Sequence, residues 1–471
     1  MTGRKMVACD WDFWVEKSLE VLFTRHHDRS LRPIYMEFPS VDDVEIFDGP
    51  GPCDRASVEV VVREKDFDTW TGEEKNSVFP PGGRDENAEK MGVDPSKMKR
   101  LLLFSGNDYL GLSSHPSVRR AASKAAEECG MGPRGSALVC GHTTYHSLLE
   151  TALADLKKKD ACLLCPTGFA ANLIFMSALG SLCTLLAVDK KPSMEEKIAI
   201  FSDSLNHASI IDGIHMIQRH QVVQIFVYRH CDTVHLDNLI SHCKIEKKVV
   251  ITDSIFSMDG DFAPILQLVE LRKKHKFLLA IDDAHGTFVC GKNGGGVPEH
   301  FDCESEVDIC IGTLSKGAGC LGGFIACSKK WKHLLQSTGR SFIFSTALPV
   351  PIVAAAHAAV VVSKAEKWRR KALWKNVEQF NHLTKFPVTS QIVSIILENE
   401  ESTLSASKYL MKCGFHVIAI RPPSVPPNSC RLRLTISAAH TENDIQSLAV
   451  ALSHCVGGRY SEIAASQNSK L

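Results

Sequence analysis

The sequence has no excess of charge of one sign. Its 471 residues carry 54 Lys and Arg against 54 Asp and Glu, so the formal net charge is zero. A nucleic-acid-binding domain is typically basic, because it must neutralise phosphates, so this balance argues against a nucleic-acid partner. With 44% hydrophobic and 23% charged residues, the composition is that of an ordinary globular protein long enough for two or more domains.

Little of the Ala-rich apolar sequence over about residues 349–363 is charged, but this stretch is short and interrupted by His357, whereas a membrane-spanning helix needs about 20 apolar residues. We therefore expect a packed core helix there and no membrane segment. Charges such as Arg4 and Asp10 leave no apolar core of signal-peptide length at the amino terminus, so we expect no secretion.

Paired cysteine motifs with metal-ligand spacing are absent among the 17 cysteines. Cys162 and Cys165 match a C-x-x-C pattern, but they lie in an apolar run without a second pair. Small buried residues are therefore favoured over a redox or zinc site. Without a secretion signal, the cysteines are expected to be reduced, and no metal site is predicted.

Two apolar runs are closely followed by reactive side chains. Residues 277–282 read as a strand that ends at Asp282, with His285 just beyond, and residues 307–313 read as a buried strand followed by Lys316. Ligands of parallel α/β sheets bind at the carboxyl ends of strands, so these groups predict a cofactor site. Pyridoxal 5'-phosphate needs a lysine for its Schiff base and a carboxylate for its ring nitrogen. The alternative for the lysine is a solvated turn residue.

Other strand ends offer groups suited to a phosphate. Residues 165–172 open a helix, and backbone amides at a helix amino terminus bind anions. His207 precedes a further helix, and Ser257 and Thr313 provide hydroxyl groups. The Gly-rich stretch 317–323 would let the backbone approach a ligand closely.

Hydrophobic periodicity divides the chain into four parts. Residues 1–99 contain an amphipathic helix over 11–23 and an irregular insert rich in Pro, Gly and charge. Residues 100–345 alternate strands with helices, which predicts an α/β domain with a mainly parallel sheet. Residues 346–460 form a smaller carboxyl-terminal α/β domain, and residues 461–471 form an exposed tail.

Six ordered motifs resemble those of the α-oxoamine synthases. They span residues 106–111, 167–172, 206–209, 256–261, 282–286 and 313–316. The resemblance implies a fold type I pyridoxal-phosphate-dependent transferase, aspartate-aminotransferase-like. Such an enzyme condenses an amino acid with an acyl-CoA thioester and releases carbon dioxide. Two departures are the insert, which compact members lack, and a segment over 374–390 that looks shorter than usual.

The resemblance assigns catalytic roles to four residues. Lys316 would form the Schiff base with the cofactor and then remove the α-proton of the substrate. Asp282 would pair with the pyridinium nitrogen, and His285 would bond the phenolic oxygen. His207 would lie over the face of the ring and help to place the substrate carboxylate.

Phosphate binding and subunit sharing are implied in the same way. Gly168, Phe169, Ser257 and Thr313 would bind the phosphate or position the ring. Ser345 and Thr346 would reach the phosphate of a partner subunit, which implies a homodimer with shared active sites.

Substrate binding is assigned to Asn107 and Arg433. A planar guanidinium binds a carboxylate in bidentate fashion, and Arg433 is the preferred clamp for the amino acid. Arg431 and Arg421 remain alternatives, because alternation places Arg431 and Arg433 on the same face of a strand.

Substrate choice is indicated by residues 420–426 and 431–435, which look like those of the member that joins L-alanine to pimeloyl-CoA in biotin biosynthesis. The alternatives are 5-aminolevulinate synthase, 2-amino-3-ketobutyrate ligase and serine palmitoyltransferase, or a non-catalytic paralogue. The presence of Lys316, Asp282, His207 and His285 together argues against a non-catalytic paralogue, which would not need all four.

The tripeptide Ser469, Lys470 and Leu471 matches a peroxisomal targeting signal. A peroxisomal import receptor is therefore a predicted partner, and the predicted location is the peroxisome, with a cytosolic pool as the alternative.

Overall fold

The computed structural model describes residues 11–24, 55–71, 98–186, 197–219, 222–422, 425–426 and 428–456. The predicted tail and most of the insert lie outside these residues. The chain consists of two compact units. The first comprises Met1–Pro52, Leu112–Ser257 and Asp261–Lys371, and the second comprises Cys53–Gly111, Met258–Gly260 and Ala372–Leu471.

In the described part of the chain, the α-helices are α1 (Trp11–Thr24), α2 (Glu64–Thr71), α3 (Pro116–Cys129), α4 (Thr144–Leu156), α5 (Gly168–Leu186), α6 (Ala208–Gln218), α7 (Thr233–His242), α8 (Ile265–His275), α9 (Val297–His300), α10 (Lys329–Thr338), α11 (Arg340–Ile343), α12 (Val350–Ala365), α13 (Trp368–Thr384), α14 (Glu400–Lys412) and α15 (Glu442–Val456).

The strands are β1 (Glu59–Arg63), β2 (Met98–Leu103), β3 (Ala161–Cys165), β4 (Ile198–Asp203), β5 (Val223–Tyr228), β6 (Lys247–Asp253), β7 (Leu278–Asp282), β8 (Ile309–Thr313), β9 (Gly323–Cys327), β10 (Ile392–Glu398), β11 (Phe415–His416), β12 (Ile418–Ile420) and β13 (Cys430–Thr435).

A seven-stranded sheet in the order β3-β9-β8-β7-β6-β4-β5 forms the centre of the first unit. Strands β5, β4, β6, β7 and β8 are mutually parallel, and β9 runs antiparallel to both β8 and β3. The predicted mainly parallel α/β sheet is thus confirmed. Each of β4, β6, β7 and β8 is almost wholly buried, as expected for strands covered by helices on both faces.

Helix α5 packs into the core of the first unit. By length and composition α5 is apolar enough to cross a membrane, yet 61% of its residues Gly168–Leu185 are buried within the protein. Phe175, Leu179 and Leu182 are completely buried in a cluster that includes residues of the sheet. The apolar composition of α5 is therefore explained by its position as a core helix of an α/β unit. Val15 and Leu22 of the predicted amino-terminal helix, here α1, belong to the same cluster.

The division between the units differs from the predicted domain boundary at residue 345. Helix α12 belongs to the first unit, where it packs against α3 and α4. Its small side chains, such as Ala354, permit close contact with Ala125 of α3. An Ala-rich helix carries no sequence signal for which unit it joins, because its burial depends on distant partners.

The second unit contains two three-stranded sheets, ordered β1-β2-β11 and β10-β13-β12. Strand β1 lies within the region predicted to be an irregular insert, and it pairs antiparallel with β2. Arg55 lies just before β1 and forms a 2.5 Å salt bridge to Asp444 of α15. Part of the insert is therefore built into the second unit.

The Gly-rich stretch after Lys316 packs against its own chain. Gly319 has a positive φ of 63°, and a Cβ there would lie 2.3 Å from the backbone nitrogen of Ser113. A Cβ on Gly323 would lie 2.2 Å from the carbonyl oxygen of Thr167. The expectation that this stretch approaches a ligand is corrected at these two positions, where glycine permits close packing of backbone on backbone.

Candidate active site

A cavity of ≈ 220 Å³ lies at the carboxyl ends of the parallel strands of the first unit. All of the predicted cofactor residues except Ser345 and Thr346 line it. The lining residues are Thr167, Gly168, Phe169, His207, Ser209, Asp253, Ser257, Asp282, Ala284, His285, Thr313, Ser315 and Lys316.

Strand ends bring these side chains together. Asp253 ends β6, Asp282 ends β7 and Thr313 ends β8, and the three strands are parallel neighbours. Asp253 and Asp282 are register partners, so their carboxyl groups emerge beside each other. The arrangement follows the rule that a parallel sheet presents its functional groups beyond the carboxyl ends of its strands.

Lys316 and His285 are in direct contact. The Nζ of Lys316 lies 2.7 Å from the Nε2 of His285. One of these atoms must accept the hydrogen that the other donates, so their protonation states depend on each other. His285 is buried and Lys316 is half-buried.

Asp282 is buried and receives hydrogen bonds on both carboxylate oxygens. The Nδ2 of Asn172 donates to Oδ2 at 2.6 Å, and the backbone N–H of Ala284 donates to Oδ1 at 3.0 Å. These two bonds fix the plane of the carboxylate. Asp282 is thereby oriented at the end of β7, where it lines the cavity.

His207 is the N-cap residue of α6. Its Nδ1 accepts from the backbone N–H of Ser209 at 3.2 Å and lies 2.7 Å from the Ser209 hydroxyl. Partial desolvation lowers the pKa of His207, and the charge of Lys316 lowers it further, whereas Asp282 and Asp212 raise it. His207 therefore caps α6 and lines the cavity at the same time.

The amino terminus of α5 forms one wall of the cavity. Thr167 precedes the helix, and its Oγ1 accepts from the backbone N–H of Ala170 at 3.0 Å. A Cβ on Gly168 would lie only 3.1 Å from the Cβ of Thr313. The hydroxyl of Thr313 donates to the carbonyl of Gly322 at 3.1 Å, which fixes it at the end of β8.

The residues of this wall fit a ligand that carries a phosphate. The first backbone N–H groups of a helix bind anions, and the hydroxyls of Ser257 and Thr313 line the same cavity. Together with the amine of Lys316 and the carboxylate of Asp282, they suit a cofactor with a phosphate, a carbonyl carbon and a basic ring nitrogen.

Asp253, Asn172, Ser209 and Ser315 lie at the site without having been assigned a role from sequence. Burial, and then the neighbouring charge of Asp282, raise the pKa of Asp253 well above its usual range. Asp253 accepts a hydrogen bond from the backbone N–H of His207 at 2.9 Å. Its position at the end of a buried strand beside β7 was the one signal that could have identified it.

Ser345 and Thr346 line a separate cavity of ≈ 20 Å³ in the same unit, together with His142, His146 and Glu150. Burial is the main reason that the pKa of His146 falls to about 4. The predicted role of Ser345 and Thr346 concerned a partner subunit, and it stays a prediction.

Asn107 and Arg433 both lie in the second unit, where they meet at one hydroxyl group. Tyr109 donates to the Oδ1 of Asn107 at 3.1 Å and receives a side-chain hydrogen bond from Arg433. Burial raises the pKa of Tyr109 to about 12, although the charge of Arg433 opposes this shift. The buried guanidinium is therefore oriented by a neutral tyrosine.

The two alternative arginines of the second unit have carboxylate partners of their own. Arg431 pairs with Asp259 at 2.5 Å, and Arg421 pairs with Glu400 at 3.4 Å on the surface. The side chains of Arg431 and Arg433 are both buried on β13, as is every other residue of that strand, so burial alone does not assign them to one face. The substrate roles of the arginines and of Asn107 stay predictions.

One group in the first unit has side-chain spacing that could hold a metal ion: Asp203, His230 and Cys231. The imidazole of His230 already contacts Asp203 at 3.0 Å and Asp261 at 2.7 Å. Burial opposes the imidazolium, but the hydrogen bonds of the two carboxylates raise the pKa of His230 to about 12. The group is an ion-pair cluster that joins the end of β4 to the segment after Ser257.

The described cysteines are all free thiols. Cys162 and Cys165 are buried, and burial raises the pKa of both thiols well above the usual value. Because the thiolate is the reactive and metal-binding form, this supports the interpretation of the C-x-x-C pair as small core residues.

Residues 99–452 match the family profile of aminotransferase class I and II. The chain is 58% identical over 462 residues to the 8-amino-7-oxononanoate synthase of Arabidopsis thaliana, and the match covers 96% of each chain. The 8-amino-7-oxononanoate synthase of Geobacter sulfurreducens is 37% identical, over 75% of this chain and 88% of its own. Most of the amino-terminal region is therefore shared with the plant protein.

Solved structures agree with the fold. A serine palmitoyltransferase of S. paucimobilis with bound PLP–myriocin has a TM-score of 0.68 and 27% identity, covering 78% of this chain and 89% of its own. The 8-amino-7-oxononanoate synthase of Francisella tularensis has a TM-score of 0.62 and 26% identity, covering 77% and 99%.

Proposed function

This chain belongs to the aminotransferase class I and II family, and from that premise we propose how its residues carry out the 8-amino-7-oxononanoate synthase reaction. The enzyme uses pyridoxal 5'-phosphate and joins L-alanine to pimeloyl-CoA. It releases coenzyme A and carbon dioxide and forms 8-amino-7-oxononanoate for biotin biosynthesis. The meeting of Lys316, Asp282, His285 and His207 at one cavity carries the proposal.

Each catalytic residue has a separate role in the proposed reaction. When bound, pyridoxal phosphate supplies a ring that withdraws electrons from the α-carbon of the amino acid. Asp282 would hold the ring nitrogen, since its carboxylate is buried and oriented by two hydrogen bonds. Lys316 would hold the carbonyl carbon and move the α-proton, for which its amine must be neutral. The 2.7 Å contact with His285 Nε2 gives that amine a neighbour with which to share a proton.

Phosphate binding falls to the amino terminus of α5. The amides of Gly168 and Phe169 and the positive end of the helix dipole favour an anion there. Ser257 and Thr313 place hydroxyl groups in the same cavity. These residues would orient the ring without taking part in proton transfer.

Arg433 is assigned to the carboxylate of alanine. Its competitor Arg431 pairs with Asp259, whereas Arg433 is positioned by a hydrogen bond to the neutral hydroxyl of Tyr109. The planar guanidinium can bind a carboxylate in bidentate fashion. Asn107, bonded to the same tyrosine, is the second substrate residue.

A homodimer with shared sites is part of the proposal. Ser345 and Thr346 line a different cavity from Lys316, which is compatible with their serving the phosphate of a partner subunit. The adjacent Phe344 is 69% exposed in the single chain, as expected for an apolar residue that a partner would cover.

A peroxisomal location is proposed from Ser469, Lys470 and Leu471. This tripeptide is an address that an import receptor reads, and it acts independently of the catalytic unit.

A serine palmitoyltransferase activity is the second candidate, because the S. paucimobilis structure has a higher TM-score than the F. tularensis one. Backbone similarity separates these activities poorly, since both enzymes share one fold. The 58% identity to the plant 8-amino-7-oxononanoate synthase favours alanine and pimeloyl-CoA.

The decisive assay uses the purified protein with pyridoxal phosphate. Alanine, glycine or serine is offered with pimeloyl-CoA, acetyl-CoA, succinyl-CoA or palmitoyl-CoA, and product masses are recorded. We expect 8-amino-7-oxononanoate from alanine and pimeloyl-CoA. Preference for serine with palmitoyl-CoA, or for glycine, would assign another activity of the same fold. Lys316→Ala protein serves as the matched blank.

A further inference from the structure

Asn172 connects two side chains of the candidate active site. It lies on α5, is completely buried, and donates from Nδ2 to the Oδ2 of Asp282 at 2.6 Å and to the Oγ of Ser209 at 2.9 Å. Ser209 in turn contacts the Nδ1 of His207 at 2.7 Å. A continuous hydrogen-bonded chain therefore runs from Asp282 to His207.

The donors fix the direction of each hydrogen bond between Asp282 and His207. The backbone N–H of Ser209 can only donate, so the Nδ1 of His207 must accept and carries no proton. The Oγ of Ser209 accepts from Asn172, which leaves the serine hydrogen for His207. The one proton of a neutral His207 ring is then on Nε2, at the other side of the imidazole.

An amide is required at position 172. Both Nδ2 hydrogens of Asn172 are used, one by a carboxylate and one by a hydroxyl. Its Oδ1 is buried and has no hydrogen-bond partner within the described ranges of the chain. Such an atom costs stability, so its retention needs an explanation beyond packing. An aspartate here would place a second carboxylate against Asp282 and could donate to neither partner.

The surroundings of His207 favour the neutral ring. The imidazole caps the positive end of α6, where an imidazolium is disfavoured. The charged groups that act on it are Lys316, which opposes protonation, and Asp282 and Asp212, which favour it. Asp253 accepts a hydrogen bond from the backbone N–H of His207.

We propose that Asn172 and Ser209 are positioning residues that hold His207 as a neutral donor with its proton on Nε2, while the same amide orients Asp282. The inference deepens the proposed function and rests on it, since that function gives Asp282 the cofactor ring and His207 the substrate. An Nε2–H directed at the substrate would donate to an oxygen of the amino-acid carboxylate or of the thioester.

Histidine-ring ¹⁵N resonances of the full-length apoprotein test the proton placement without any turnover. The signal lost in His207→Gln identifies the residue. We expect the neutral tautomer protonated on Nε2 at neutral pH in the wild type. In Ser209→Ala and Asn172→Asp we expect a mixture of tautomers and a shifted titration midpoint. A wild-type signal from an Nδ1-protonated or charged ring would overturn the proposal, as would variant signals identical to those of the wild type.

Two further measurements separate positioning from general support of the fold. Ser177→Ala is the matched control, because Ser177 lies on the same helix and its hydroxyl donates to the backbone carbonyl of Thr338, away from His207 and Asp282. We expect wild-type His207 signals in the control. Ser209→Ala should raise KM for alanine about five- to tenfold, as for one lost hydrogen bond, and Ser209→Thr, which keeps a hydroxyl, should restore part of it.

Each outcome has a distinct meaning. If Asn172→Asp does not fold, Ser209→Ala still decides the tautomer. Equal KM changes in Ser177→Ala and Ser209→Ala would contradict a positioning role. If the protein makes no 8-amino-7-oxononanoate but the apoprotein shows the expected tautomer, the proposed function fails while the proton placement stands.

Discussion

The Nζ of Lys316 lies 2.7 Å from the Nε2 of His285, so the two groups proposed to handle protons are hydrogen-bonded before any substrate arrives. Only one proton can occupy that contact. The donor and acceptor roles of the amine and the imidazole are therefore linked, and a substitution of either residue removes the contact for both.

Replacement of Lys316 by Ala removes the amine that holds the cofactor and moves the α-proton. We expect loss of the visible absorption band of covalently held pyridoxal phosphate and a fall in kcat on the order of 10³-fold or more. Absorbance spectra and product mass measure the two effects. Lys273→Ala, at an exposed lysine of α8, is the control and should behave like the wild type. A retained band in Lys316→Ala would reject the assignment.

Arg433→Lys tests the carboxylate clamp. A lysine keeps the charge but not the planar fork, so KM for alanine should rise roughly 10- to 100-fold while kcat changes less. Arg431→Lys is the matched control on the same strand, and it can still pair with Asp259 as a point charge. Steady-state kinetics with varied alanine give both constants. A larger KM effect in Arg431→Lys would exchange the two roles.

Shared active sites predict complementation between two inactive proteins. Lys316→Ala lacks the amine, and the double variant Ser345→Ala with Thr346→Val lacks the hydroxyls proposed to reach a partner's phosphate. Mixing the two under conditions that exchange subunits should restore part of the wild-type activity, because one of the two sites in the mixed dimer is intact. If all residues of a site came from one chain, mixing would restore nothing.

Acid should destabilise the apoprotein partly through His440. Burial lowers the pKa of His440 from its usual 6.5 to about 4. Between these values the unfolded chain binds a proton that the folded chain excludes, so the free energy of unfolding falls as the pH falls, by up to about 1.4 kcal/mol per pH unit. His440→Asn should be less stable at neutral pH but lose less on acidification. Urea unfolding across this pH range measures how the free energy of unfolding of the wild type and of His440→Asn depends on pH. The same pH dependence in both proteins would refute the role of His440.

The carboxyl-terminal tripeptide can be tested apart from the enzyme. Fusion of residues 462–471 to a fluorescent reporter should direct the reporter to peroxisomes through the import receptor, and deletion of Ser469, Lys470 and Leu471 should return it to the cytosol. A diffuse signal from the intact fusion would remove the proposal.

The strands that end at the site were predictable because they are buried on both faces. Strands β7 and β8 read as continuous apolar runs, and Asp282 and Lys316 stand out where those runs stop. Edge strand β5 was not predicted, since it is half exposed and contains Gln224. Strand β9 was not predicted either, because its first residue belongs to the Gly-rich stretch that was read as a ligand-binding loop.

Contacts between distant residues account for what the sequence could not indicate. Asn172 was visible in a motif, but its partner Asp282 is 110 residues away, and no local pattern gives that distance. The roles of Asp253 and Ser209 likewise depend on the pairing of β6 with β7 and on the cap of α6. Local periodicity identifies elements, whereas the register of the sheet decides which side chains meet.

The small sheet β1-β2-β11 joins chain segments that are made early and late. Ser105 contacts His416 across 311 residues, and Leu102 pairs with Phe415. During synthesis, β1 and β2 must therefore wait for most of the chain before the second unit can close, and contacts of such long sequence separation form slowly. A ribosome stalled before β11 would leave an edge of β2 exposed to other chains, so premature termination should produce aggregation rather than a partly active enzyme.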